Sequence, residues 1–295
     1  MLFPRRKKMN KSSWHYYAWL TIILWAGAYV FTRVALRHFS PLPLAFLRCL
    51  TASLALVILL IIRGEALPPL RDWPRFLASG AMGFGLYFFL FNTGAASLTA
   101  TASCLVISVS PLLTALIGRG LFGEKMSGLA WAAMLLEFSG LIVIILWAGP
   151  LSINRGIFWV LAAAVAISIY NIMQRAYARS YSPLQITAFS FVVGTILLSF
   201  SLPEAWAELK SAPGSQIAAV IFLGLGPGAA AYLAWAKAMS LAGGAGAVAN
   251  YMFLTPLLSF LLGYLLIAEM PDGGTLLGGL VILAGLALFT RASRA

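Results

Sequence analysis

The chain has 295 residues, of which 61% are hydrophobic and only 9% are charged. Its mean hydropathy is +0.93, whereas a soluble domain of this length needs about a quarter of its residues charged to cover its surface. Soluble enzyme folds are therefore excluded, and the composition predicts an all-α integral membrane protein. The formal charge of +12 then reflects membrane topology rather than binding to nucleic acid.

Long uncharged intervals recur along the whole chain, and a bilayer-spanning helix needs about 20 such residues. The interval between Arg75 and Arg119 has 43 residues, enough for two helices, and Asn92-Thr93-Gly94 is its natural break. Together the intervals predict ten transmembrane helices, at residues 14–35, 43–62, 75–92, 97–118, 127–147, 156–175, 183–202, 214–237, 246–267 and 273–291.

Basic residues are divided unequally between the two sets of loops. With ten helices both termini lie on the same side, which carries fifteen Lys and Arg against four on the other. Because cytoplasmic loops are enriched in basic residues, the tails at 1–13 and 292–295 are predicted to be cytoplasmic. The basic start followed by Ala26-Gly27-Ala28 imitates a signal peptide, but its apolar segment is too long for one.

The segments at 14–147 and 156–291 repeat one pattern, with a linker at 148–155. The motif that begins at Arg33 recurs 142 residues later, and the Gly-x-Gly motif that begins at Gly83 recurs at a spacing of 143. The Ser110-Pro111 motif recurs as Thr255-Pro256 at a spacing of 145. Because five helices return the chain to the opposite side of the bilayer, the second repeat is predicted to be inverted, as in many secondary transporters.

The five-plus-five layout, with Ser110-Pro111 through Glu124 and Thr255-Pro256 through Glu269, resembles the EamA-type drug/metabolite transporter superfamily over about residues 14–291. The resemblance implies that predicted helices 1–4 and 6–9 enclose a central cavity, with helices 5 and 10 behind them. Among bacterial members, the chain is similar to exporters of amino acids, including aromatic ones. The resemblance therefore implies export by alternating access across the bacterial inner membrane.

Polar and aromatic residues occupy equivalent positions in the two repeats, since Tyr29 aligns with Asn171 and Thr32 with Gln174. Polar groups inside a bilayer are costly and tend to face a cavity or a partner helix. For each residue singly, interhelical hydrogen bonding is the alternative to substrate contact. The predicted cavity lining, suited to a small amphipathic solute, comprises Trp25, Tyr29, Tyr87, Asn171, Gln174, Tyr232 and Asn250.

Pro111 and Pro256 are expected well inside the fourth and ninth helices, where each removes a backbone hydrogen bond. The preceding Ser110 and Thr255 are candidates to bond the freed carbonyls. Each proline predicts a kink, which is either static or a hinge for alternating access.

Two ionisable residues fall inside predicted helices. Arg48, little more than one turn inside the second helix, either extends its charge to the interface or attracts a carboxylate. Glu137 lies near the midpoint of the fifth helix, where an ionised group costs about 3 kcal/mol or more. It is either a proton-coupling group or a structural one, and its apolar repeat partner, Ile282, favours the structural role.

No motif for catalysis, a cofactor or a metal is recognised. The phosphate-binding loop of ATPases is missing, His15 and His38 lie near opposite ends of the first helix, and Cys49 and Cys104 lie in apolar runs. The expected partners are membrane lipid and a small-molecule substrate, most simply an amino acid, and a monomer is compatible with the sequence. The alternatives are a membrane-embedded enzyme acting on lipid or isoprenoid, and a non-transporting scaffold subunit.

Overall fold

The computed structural model of the protein describes residues 13–123, 127–147, 154–178, 180–241 and 250–292. Throughout these ranges the regular structure is helical, and they contain no strand. Within the same ranges, eight helical segments are long and apolar enough to cross a bilayer, and two shorter apolar helices follow, Leu254–Ile267 and Gly273–Phe289. The prediction of an all-helical membrane protein is therefore confirmed.

The described residues before 147 contain seven α-helices, and a π-helical turn, π1, joins the third to the fourth. They are α1 (Ser13–Ala35), α2 (Pro41–Arg63), α3 (Trp73–Gly80), π1 (Ala81–Leu86), α4 (Tyr87–Ala95), α5 (Ala100–Ile107), α6 (Ser110–Phe122) and α7 (Gly128–Leu146).

The described residues after 153 contain seven further α-helices, and a second π-helical turn, π2, interrupts them. They are α8 (Gly156–Tyr177), α9 (Pro183–Leu198), α10 (Leu202–Ser211), α11 (Gly214–Leu223), π2 (Gly224–Ala230), α12 (Ala231–Leu241), α13 (Leu254–Ile267) and α14 (Gly273–Ala292). A 3₁₀ turn at Asn250–Phe253 precedes α13.

Local sequence accounts for several helix ends. Ser182 caps α9 through a capping box with Gln185, and the proline that follows Ser182 suits the first helical position because its missing N–H needs no partner there. The Thr99 hydroxyl caps α5 by accepting a hydrogen bond from the Ala102 N–H. Gly64 ends α2 with φ of 63°, a left-handed conformation that glycine adopts without a Cβ clash.

Pro111 lies near the middle of the apolar helical segment Ala100–Leu121, beside a short interruption of its α-helix, and Pro256 lies near the start of α13. Residues Ser108 and Val109 separate α5 from α6, and Pro111 is in the first turn of α6. Pro256 is the third residue of α13. The proposed bond from Thr255 to a freed carbonyl is not formed, because Thr255 Oγ1 has no partner among the described residues. The Ser110 carbonyl accepts a hydrogen bond from the Ser168 hydroxyl at 2.9 Å.

Helix packing relies on glycine at close approaches. Along the contact between α7 and α14, a Cβ at Gly140 would lie 2.6 Å from the Gly278 carbonyl oxygen, and one at Gly285 would lie 2.6 Å from Glu137 Cγ. Small residues allow such approach in lipid, where helices gain little from hydrophobic burial against each other. Elsewhere α2 packs on α9, α4 on α8, and α1 on both α12 and α13.

Candidate substrate-binding site

A cluster of aromatic rings joins α1 to α4 and α12. The ring of Trp25 lies 5.6 Å from that of Tyr232 and 5.4 Å from that of Trp235. One turn further along α1, Tyr29 contacts Phe91 at 5.6 Å, and Phe91 stacks on Tyr87 at 5.8 Å. Phe88 and Phe84 connect the two sets, because Phe88 contacts Tyr87 and Phe84, and Phe84 contacts Tyr232. Four predicted lining residues therefore belong to one group, which we call the aromatic cluster: Trp25, Tyr29, Tyr87 and Tyr232.

The residue that binds the cluster together is Phe84, in π1. Its ring stacks on Phe191 of α9 at 3.7 Å and meets Tyr232 edge-on at 5.9 Å. Sequence reasoning missed Phe84, Phe191 and Trp235. The signal for Phe84 was available, because it is the central residue of the first Gly-x-Gly motif.

The glycines of π1 allow the neighbouring helix to approach Phe84. A Cβ at Gly83 would overlap Cδ2 of Tyr170 on α8, so any larger residue there would displace the Tyr170 ring. Tyr170 is fully buried and contacts Phe84 at 5.0 Å. The π-helical turn thus fixes the cluster against α8, and such turns are frequent at functional sites.

Arg48 on α2 is the charged residue that the described contacts place at the aromatic cluster. Its guanidinium carbon lies 3.8 Å from the centroid of the Phe88 ring, and that ring lies 5.1 Å from Tyr87 and 5.8 Å from Phe84. The side chain is 4% exposed, so it does not extend into water at the end of α2. Its Nε and Nη1 have no hydrogen-bond partner among the described residues.

The remaining predicted lining residues are less closely tied to the cluster. Gln174 donates to the Tyr170 hydroxyl at 3.4 Å and so reaches Phe84 indirectly. Asn171 is half-buried on α8, and no described contact joins it to the cluster. Asn250 begins the 3₁₀ turn before α13, but its side chain lies outside the described part of the chain.

Glu137 lies away from the cluster, in the contact between α7 and α14. It is fully buried against Gly285, and neither carboxyl oxygen has a described hydrogen-bond partner. This position favours a packing role over a role in substrate contact.

One end of the helix bundle is held by an ion pair. Arg33 Nε lies 3.0 Å from Glu269 Oε1, and the second carboxyl oxygen of Glu269 accepts a 2.7 Å hydrogen bond from the Ala100 N–H. Arg33 also donates to the carbonyls of Ala95 and Ala96. We call this the Arg33 end. A half-open cavity of about 230 Å³ lies here, lined by Arg33, Leu36, Arg37, Ile267, Ala268 and Glu269, none of which was predicted as cavity lining.

The arrangement is suited to binding rather than to bond-making chemistry. Rings from α1, π1, α4, α9 and α12 offer apolar faces, tyrosines offer hydroxyls, and Arg48 offers a buried cation. A small solute with an apolar body and a polar head matches such a lining.

Comparison with known proteins agrees with this description. The model of the EamA-like transporter family matches residues 12–146 and again 154–291. An uncharacterised transporter of Bacillus subtilis, YdfC, is 31% identical over 267 residues, covering 90% of this chain and 87% of that protein. A Streptantibioticus cattleyicolor protein named "Probable terminal-alkyne amino-acid exporter" is 28% identical, covering 96% of this chain and 95% of that protein.

A solved structure supports the fold independently. A chain described as "Crystal structure of protein" superposes with a TM-score of 0.66, covering 95% of this chain and 99% of that chain. At 22% identity the likeness concerns the fold alone.

Proposed function

Because the chain belongs to the EamA-like transporter family, we propose that it is a ten-helix secondary transporter that exports amino acids, aromatic or otherwise neutral, across the bacterial inner membrane by alternating access, with both termini cytoplasmic. The observation that carries this proposal is the aromatic cluster, since it joins Trp25 and Phe84 of the first matched half to Phe191 and Tyr232 of the second. A solute bound there contacts both halves, and a change in their packing would alter its access.

Reciprocal contacts between the halves support an inverted repeat. Ser40, immediately before α2, bonds Glu208 through both its hydroxyl and its backbone N–H, at 2.6 Å and 3.0 Å. Ser182 donates to Glu65, which follows α2, at 3.3 Å. Ser182 is the repeat partner of Ser40, and Glu208 lies 143 residues after Glu65. The two contacts flank opposite ends of a helix of 23 residues, as two oppositely oriented halves require.

Two further features follow the same spacing. The π-helical turns π1 and π2 begin 143 residues apart, at Ala81 and Gly224. Ser53 and Thr195, which are 142 residues apart, share a 2.8 Å hydrogen bond between α2 and α9. Repeat partners that contact each other are expected at a pseudo-twofold axis, so this pair supports an axis between the two helices.

The proposed substrate class rests on a relative and on chemistry. A relative covering 96% of the chain is named as an amino-acid exporter, and the aromatic cluster offers ring faces and hydroxyls that suit a neutral amino acid. Pro111 and Pro256 are proposed hinges, since each lies in the first turn of a helix that directly follows non-α-helical residues. These residues are Ser108 and Val109 in one case and Asn250–Phe253 in the other.

Reconstituted liposomes test this function. We expect the purified protein to exchange radiolabelled neutral amino acids across the membrane. Trp25→Ala should lower the rate several-fold, because a large ring is lost from the cluster, and Asn171→Ala should also lower it. Normal size-exclusion profiles of both variants serve as the folding control. Wild-type protein that moves no amino acid under any ion or substrate gradient would overturn the proposal, and wild-type flux in both variants would overturn the proposed lining.

Cysteine labelling tests the inverted repeat separately. Arg37→Cys and Ser180→Cys place exposed thiols after α1 and after its repeat counterpart α8, while the native Cys49 and Cys104 are buried. An impermeant maleimide should reach the two introduced thiols from opposite sides of the membrane. Labelling of both from the same side would contradict the inverted arrangement.

A further inference from the structure

Arg48 is a buried cation for which the described residues supply no ion pair. It follows Pro41, the first residue of α2, by seven positions, which places it about 10 Å along the helix. The ion pairs recorded among the described residues involve Arg33 and Arg75 instead. The face of Phe88 compensates part of the lost hydration through a cation–π contact, but Nε and Nη1 remain unbonded in the described structure.

A buried guanidinium without an ion pair is energetically unfavourable, and an anionic partner would stabilise it. Removing a guanidinium from water is favourable only when an opposite charge and good hydrogen bonds replace the water. Inside a membrane, unpaired ionisable residues usually face a substrate path. Arg48 adjoins the aromatic cluster, which forms the substrate path in the proposed function. Its guanidinium contacts Phe88, whose ring lies 5.1 Å from Tyr87 and 5.8 Å from Phe84.

Arg48 also has no charged equivalent in the second half, unlike the contacts between the halves that follow the repeat. At the spacing of 142 its counterpart on α9 is Ser190, which forms a 2.7 Å hydrogen bond with Ser79. Arg33, in contrast, has a basic counterpart in Arg175. A charge present in only one half is not needed to build the repeated scaffold, so it is a candidate for recognising an asymmetric solute.

We propose that the Arg48 guanidinium binds the carboxylate of the transported solute, while the solute's apolar body lies against the aromatic cluster. This inference rests on the proposed function and narrows its substrate to small carboxylates with an apolar or aromatic body. Arginine suits this task because its planar fork donates two parallel hydrogen bonds to a carboxylate. The phenols around it supply further donors and acceptors to the head of the solute.

Three probes that differ only in their head group test the proposal: L-phenylalanine, L-phenylalaninamide and 3-phenylpropionate. Binding is measured by the ligand-induced rise in Tm of detergent-solubilised protein, and transport by counterflow in liposomes. Wild-type protein should bind the two acids about tenfold or more tightly than the amide, the ratio expected for a charged hydrogen bond. Equal binding of the acid and the amide by wild-type protein would overturn the proposal. The phenylpropionate arm distinguishes amino acids from organic acids in general.

Substitutions at Arg48 separate recognition from folding. Arg48→Gln should reduce the preference for acid over amide to less than twofold, and Arg48→Lys should recover only part of it because it lacks the fork. Arg48→Met should keep or raise the Tm of ligand-free protein, since an unpaired buried charge is removed, whereas a purely structural arginine would lower it. Arg63→Gln, at the exposed end of the same helix, is the matched control and should behave as wild type.

The readouts also separate this inference from the proposed function. If wild-type liposomes transport no amino acid but the acids alone raise the Tm through Arg48, the transport proposal fails and the carboxylate site stands. If amino acids are transported and Arg48→Gln retains the wild-type KM and the preference for acid, the transport proposal stands and the carboxylate site is refuted.

Discussion

Glu269 at the Arg33 end offers a direct test of alternating access. Its carboxylate joins Arg33 of the first matched half to the segment that follows α13 in the second, and it also bonds the first N–H of α5. If the two halves rock against each other, this link must break in each cycle. We expect Glu269→Gln to shift the protein toward a state in which the Arg33 end is open.

The size of the shift follows from the contacts. Glutamine preserves the length of the side chain and one carbonyl oxygen for the Ala100 N–H, but it removes the ion pair and the charge from both bonds. A charged hydrogen bond contributes about 1 kcal/mol more than a neutral one. The side chains of Arg33 and Glu269 are 28% and 16% exposed, so solvent screening reduces the combined loss to about 1.5 kcal/mol. This free energy corresponds to roughly a tenfold change in the ratio of the two states.

Thiol accessibility measures that ratio. A Leu36→Cys substitution places a thiol in the cavity at the Arg33 end, and its labelling by an impermeant maleimide reports how often this end opens. Adding Glu269→Gln should raise the labelling rate roughly tenfold. Glu204→Gln, an exposed carboxylate on α10, is the matched control and should leave the rate unchanged. Equal rates in the Glu269 variant and the control would refute the idea that this ion pair holds the end closed.

Two further substitutions test the packing argument. Glu137→Gln should leave both the Tm and the pH profile of transport nearly unchanged, because the carboxyl group lies against Gly285 without a described hydrogen-bond partner. Loss of the pH dependence of liposome flux in this variant would instead identify Glu137 as the proton-coupling group. Gly83→Ala should lower stability by about 1–3 kcal/mol, since its Cβ would overlap the Tyr170 ring. Gly120→Ala, which meets no atom within 4 Å, is the control in the same thermal unfolding measurement, and an equal Tm for the two variants would contradict the reasoning.

The helical architecture was predictable because the amino-acid composition determines which segments can span a bilayer. A bilayer requires about 20 apolar residues for each crossing, and the uncharged intervals of the chain supply them, so α1, α2 and α8 coincide with predicted helices to within a few residues. Helix interruptions were not predictable in the same way. The third predicted helix, 75–92, forms part of a longer helical segment, Leu70–Ala95, that contains π1, and hydropathy carries no information about such a turn.

The candidate site could be predicted only in part, because contacts between helices are not encoded in local sequence patterns. Sequence identified Trp25 and Tyr232 as candidates, but their contact depends on how α1 packs against α12, which is a tertiary property. Arg48 illustrates the same limit. Its position near the end of a helix allowed an extended side chain reaching water, and only the packing of Phe88 over the guanidinium distinguishes burial from that alternative.

The proposed inverted repeat distinguishes residues that couple the two halves during alternating access from residues that recognise the substrate. Contacts that follow the repeat, such as Ser40 with Glu208 and Ser53 with Thr195, join the two halves. A residue that lacks an equivalent in the other half needs its own explanation, and its position decides between a packing role and a role in substrate recognition. Glu137 departs from the repeat but faces a glycine of the neighbouring helix, whereas Arg48 departs from it beside the aromatic cluster. A departure becomes a candidate for substrate recognition only when packing also brings it to the surface that both halves share.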